Sequence, residues 1–150
     1  MAAIKGGDRM DAYMQNLASK LDKPGTLRVG FMEDAEYPDG TSVAMVAAIQ
    51  NFGAPAVGIP PRPFFSNMVK AEAHNWGPLL ANILFNRKND VQQSLELLGM
   101  GIQGQLRKSI DNTNEPPLAP ATIAAKGFEK PLIHSGVMRQ SVSYEVKVGT

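Results

Sequence analysis

Residues Ile59 to Phe65 read IPPRPFF, and no other stretch of this chain restricts the possible fold as strongly. Proline fixes φ, lacks a backbone donor and pushes the residue before it out of helical geometry. Pro60, Pro61 and Pro63 therefore exclude an interior helix or a central strand and hold the chain as a stiff, extended connector. Whatever helix follows is pointed in a set direction. Phe64 and Phe65 are large enough to anchor that turn in a core or in a subunit contact. The same letters match P-x-x-P, the polyproline ligand of SH3-type domains. A position between two helical segments suits a rigid connector better than a free docking peptide.

The segments on either side are periodic. Met10, Met14, Leu17 and Leu21 recur at spacings of three and four, which predicts a helix from Asp8 to Leu21, stopped by Lys23-Pro24-Gly25. Leu27, Val29 and Phe31 alternate with Arg28 and Gly30, the pattern of a strand. Glu33, Asp34, Glu36 and Asp39 then fall in what reads as a solvated loop; their spacing is not that of a calcium loop. Thr41 or Ser42 can cap a helix ending at Phe52, with Val43, Val46, Ala47 and Gln50 on one face and Gly53 as its stop.

After the proline segment a helix runs from Phe64 to about His74, with a break or kink expected at Gly77-Pro78. Asp90 caps a long helix to about Ile110, its core stripe being Val91, Leu95, Leu98, Ile102 and Leu106. A loop, a short 121–127 helix and a helical turn capped by Ser135 lead to a final strand, where Val142, Tyr144, Val146 and Val148 alternate with polar residues. The expected class is α+β: one domain over residues 1–150, with a small sheet of two to four antiparallel strands packed with several helices.

Composition narrows the function. Fifteen basic against fourteen acidic residues leave almost no net charge, so a protein built chiefly to hold nucleic acid is not indicated. The chain has no cysteine, which removes disulfides and thiolate metal sites. Its longest apolar run, Val43 to Ile49, falls far short of a bilayer span, and the N-terminus lacks the apolar core of a secretory signal. A soluble protein made in the cytoplasm, with no membrane partner, is the expectation.

Catalytic signals are weak. Gly99 to Gly104 reads GMGIQG and fits G-x-G-x-x-G, yet it follows a helical rather than a strand-like segment and lacks the acidic residue of a dinucleotide site. The glycines read better as a small-residue helix face against which another backbone packs. His74 and His134 stand far apart, with no patterned carboxylate or second histidine beside either. No catalytic residue, metal or cofactor is implied, and the chain does not read as an enzyme.

Two blocks together resemble a known family. IQNFGAPAVGIPPRPFFSNMV carries a helix ending in an aromatic-glycine pair, followed by Pro-Arg-Pro-Phe and another helix; PLAPATIAAKGFEKPLIHSGVMRQSVSYEV carries Pro-Leu-x-Pro-x-Thr, a lysine, a hydroxyl residue with glycine, and Ser-x-x-Tyr-x-Val. Both are similar to the phage virion morphogenesis (tail completion) family and the related tail-component family typified by a lambdoid head–tail joining protein. The family often has Glu where this chain has Asn51, and Asp-Thr-Gly where it has His134-Ser135-Gly136.

The resemblance implies a structural virion protein of a tailed bacteriophage, forming a ring at the head-proximal end of the tail for tail completion and head–tail joining. A tail terminator or another neck adaptor is the alternative within that class; a cytoplasmic module using its P-x-x-P segment is the more distant one. The implied partners are copies of itself in a homo-oligomeric, hexameric ring, neighbouring neck, connector or tail-tube proteins, and DNA only as it passes through the channel. The residues that carry over are Phe52, Gly53, Pro61, Arg62, Pro63 and Phe64, then Leu132, Ser135, Gly136, Arg139, Ser141, Tyr144 and Val146. On this reading Arg62 bridges to a neighbour, with the acidic 33–39 loop as one candidate partner, while Phe64 and Phe65 supply apolar contact area. The C-terminal strand pairs with a sheet edge in the same or an adjacent subunit.

Overall fold

The computed structural model describes residues 6–21, 23–113 and 136–149. Helix α1 (Gly7–Leu21) precedes strand β1 (Gly25–Phe31); α2 (Val43–Phe52) and a short 3-10 turn (Pro55–Val57) lead to α3 (Phe64–Asn86). Helices α4 (Val91–Asn112) and α5 (Val137–Gln140) and strand β2 (Val142–Val148) complete it. Four substantial helices and a two-stranded antiparallel sheet make an α+β fold, as the sequence pattern implies. The expected loop from residue 114 onward, the 121–127 helix, Leu132, His134 and Ser135 lie outside the described residues.

The sheet joins the two ends of the described chain. β1 and β2 pair along their full length, from Gly25 opposite Val148 to Phe31 opposite Val142. Leu27, Val29 and Phe31 share one face with Val146, Tyr144 and Val142, and that face packs on α4. On the other face Arg28 stands opposite Glu145, a favourable cross-strand pair. The final strand thus finds its sheet edge within its own chain.

Helix α4 is the central pillar. Asp90 caps it by accepting from the Gln93 N–H at 2.9 Å, and its buried stripe of Leu95, Leu98, Ile102, Leu106 and Ile110 faces both the sheet and α3. The break expected at Gly77-Pro78 is absent: α3 runs as one helix with Pro78 inside it. His74, Gly77 and Pro78 are exposed, so water can satisfy the carbonyl that Pro78 leaves without a donor. The Trp76 indole N–H donates to Gln105 Oε1 at 2.9 Å, and Leu80 and Ile83 pack on the core, so both halves of α3 stay on α4.

The GMGIQG segment lies within α4, and its glycines have different surroundings. A Cβ at Gly99 would meet Tyr144 Cδ2 at 2.7 Å and Leu27 Cδ1 at 2.9 Å, whereas Gly101 and Gly104 face open space. What packs closely here is the side-chain face of the sheet, not the second backbone expected. Opposite effects follow from one residue type. Gly99→Ala should lower stability by about 1–2 kcal/mol through overpacking. Gly101→Ala and Gly104→Ala should each raise it by up to about 1 kcal/mol through helix propensity. Urea unfolding of the three variants checks the contrast.

Candidate functional site

The IPPRPFF stretch forms an elbow between α2 and α3, clipped to the last turn of α2. Gly53 ends α2 at φ 76°, a conformation that favours glycine, and its N–H donates to the Ile49 carbonyl at 2.7 Å. A side chain there would also run into backbone, since a Cβ would lie 2.8 Å from Pro61 N and 2.9 Å from Ile59 O. The chain loops out through the 3-10 turn and returns by paired bonds between Ala54 and Ile59. Gln50 then receives the proline segment: the Arg62 N–H donates to its carbonyl at 2.7 Å, and Arg62 Nη1 to its Oε1 at 3.4 Å.

Asn51 completes the clip. Its Oδ1 accepts from the Phe65 and Ser66 N–H groups, both at 3.0 Å, and its Nδ2 donates to Ser66 Oγ at 2.8 Å. Pro63, at the N-cap position of α3, supplies no capping side chain, so a residue of α2 caps α3 in its place. On the far side the Ser109 hydroxyl donates to the Phe64 carbonyl at 2.6 Å and ties the elbow to α4.

This geometry corrects two expectations. Phe64 is fully buried and meets the Phe31 ring edge-on, with centroids 6.2 Å apart and an interplanar angle of 76°. It is a core residue and offers no area to a neighbour. Arg62 is only 7 % exposed, and burial lowers its pKa from the ordinary value. It braces the elbow from within, so it cannot serve as a clasp reaching a second subunit. Pro61 is exposed, and Pro63 and Phe65 are partly covered. Among the aromatic residues of the motif Phe52 faces outward, with 72 % of its surface exposed.

The second block is likewise structural in its described part. Gly136 takes a left-handed φ of 72° at the start of α5. Arg139 pairs with Asp111 of α4 at 2.8 Å, and Ser141 Oγ donates to the Val137 carbonyl at 2.7 Å. Tyr144 lies over Gly99. Gln103 Nε2 and Arg107 Nη2 donate to the Val142 carbonyl at 2.8 and 3.2 Å, pegging the start of β2 to α4.

Outside these contacts the protomer leaves apolar surface bare. Helix α1 has no substantial packing against any other described element, and Met10, Tyr13, Met14 and Leu21 are exposed along it. Helix α2 is apolar nearly all round, yet Met45, Ala48 and Phe52 face solvent. Beside them a cleft of about 220 Å³ is lined by Phe31, Ala44, Ala47, Ala48, Asn51, Phe52, Phe64 and Phe65. No family model, curated protein or solved structure matches the chain.

The β1–α2 loop is held in an ordered turn. The Tyr37 N–H donates to the Thr41 carbonyl at 2.8 Å, and Asp39 Oδ1 accepts from the Thr41 N–H, which holds that carboxyl below its ordinary pKa. Tyr37 and Ala35 pack on the core, while Glu33, Asp34, Glu36 and Asp39 point into solvent. Burial raises the Tyr37 phenol. Among the described residues no group of three metal-ligating side chains comes together, and no helix is long and apolar enough to cross a membrane.

Proposed function

We propose that this chain is a structural subunit of a tailed-bacteriophage neck, assembling with copies of itself into a ring at the head-proximal end of the tail. One observation carries the assembly: two helices on a well-braced protomer each leave an apolar face uncovered, α1 along Met10, Tyr13 and Met14 and α2 along Met45 and Phe52. Contiguous apolar surface of this kind marks protein–protein contact. The phage assignment comes from the two sequence blocks, whose described residues form the α2–α3 elbow and the α5–β2 corner. A tail terminator or another neck adaptor belongs to the same reading. The buried Arg62, bonded to Gln50, counts against the P-x-x-P docking module, because a free polyproline ligand must present such a residue to its receptor.

The protein's work on this reading is mechanical: a closed ring seals the tail end and joins it to connector and tail-tube proteins, with DNA passing through unread. Light scattering on the purified chain should give a closed multimer, with six copies expected. A labelled antibody should mark the head–tail junction of intact particles. A chain that stays monomeric at every concentration, together with particles unlabelled at the junction, overturns the proposal.

A further inference from the structure

We infer that the ring contact is head-to-tail: the basic end of one copy, with helix α1, docks against the acidic loop and the α2 cleft of the next. The pairing presupposes the homo-oligomer proposed above and names its surfaces. Charge is sorted along β1, whose seven residues span about 20 Å. Before the strand, Lys23 shares a cleft with Arg87 and Lys88 of the α3–α4 turn, and all three are exposed. Asp90 lines the same cleft, but its carboxylate is engaged in capping α4; Asp22 lies outside the described residues. After the strand, Glu33, Asp34, Glu36 and Asp39 project from an ordered turn that contains no lysine or arginine. Arg139, on the neighbouring corner, is neutralised by Asp111.

The uncovered apolar surfaces are sorted the same way. Helix α1, with its bare Met10–Tyr13–Met14 stripe, joins the chain at the basic end. The cleft between Phe31, Ala44, Ala48 and Phe52 adjoins the acidic loop, since Phe31 precedes that loop and Ala44 follows it. Small alanines let a helix approach closely, and Phe52 forms a rim. Each end therefore offers what the other lacks, in charge and in shape, and the occupant that satisfies both is a second copy of this chain. When the two ends of one protomer engage two different copies the contact is heterologous, and such contacts close into rings when the rotation divides a full turn.

Exchange of charge between the faces tests this. Lys23→Glu/Arg87→Glu puts acid on both ends, and Glu33→Lys/Asp34→Lys puts base on both. Each variant alone should sediment as a monomer, with assembly weakened on the order of a hundred-fold by like-charge apposition. Mixed in equal amounts, the two should rebuild an alternating multimer of wild-type size. The milder pair Lys23→Gln/Arg87→Gln gives a partial loss relative to wild type that shrinks as salt screens the pairing, and serves should a reversal disturb folding. Wild-type mass for either reversed variant, or a mixture that stays monomeric, overturns the head-to-tail contact while leaving the ring in place. A wild-type chain that is itself monomeric overturns both.

Discussion

Phe64→Ala is expected to destabilise the protomer by about 3–5 kcal/mol, the range for emptying a closed aromatic site. The ring is fully buried, lies edge-on to Phe31, and packs in the cluster that holds Val43, Met68, Leu106 and Met138. The site cannot collapse easily, because Asn51 and Ser109 fix the backbone on either side. Phe52→Ala, only twelve residues earlier in the same motif, should change protomer stability by no more than about 0.5 kcal/mol. It removes an outward ring, and on the proposed reading it weakens assembly. Urea unfolding separates the two: the Phe64 variant should move the midpoint far down, with little change in slope. Should Phe52→Ala be the variant that unfolds, the division of the motif into core and contact surface is mistaken.

The elements were legible where their signals are local. The Ser42 and Asp90 caps, the three-and-four spacing of α4 and the alternation of β2 each depend on residues a turn or a pleat apart, and each sits where its pattern places it. What failed depends on partners distant in sequence. Nothing around Gly99 announces Tyr144, forty-five residues on, so the glycines looked equivalent although only Gly99 is crowded. Arg62, carried on a stiff segment, reads as a residue presented to a neighbour; its bonds to Gln50 exist only once the elbow has folded back on α2. Phe64 and Phe65 are alike in composition, yet helical rotation buries the first and leaves the second on the rim of the cleft. One missed residue did leave a trace. A helix of 23 residues that begins after Pro63 has no cap of its own, and an unsatisfied N-terminus requires an acceptor from elsewhere.

That acceptor is Asn51, and Asn51→Leu should cost about 3 kcal/mol. Loss of a helix cap accounts for about 1 kcal/mol of this, and the rest comes from leaving part-buried donors unpaired. The side chain is 4 % exposed and makes three bonds, two from the first turn of α3 and one to Ser66 Oγ. Leucine has nearly the same size, so the loss reads the bonds rather than a cavity. Asn51→Asp keeps both acceptances, and its charge lies at the positive end of the α3 dipole, where carboxylates are favoured. The Ser66 hydroxyl can turn to donate in place of the amide that is removed. The Asp variant should therefore stay within about 1 kcal/mol of the wild type at neutral pH. Because the proline segment is clipped through this residue and Gln50, Asn51→Leu should also free the elbow, seen as faster amide exchange at Phe65 and Ser66 than elsewhere in α3. Equal melting of the Leu and Asp variants would remove Asn51 as the cap and leave the elbow's rigidity to the prolines and the Gln50 and Ser109 bonds.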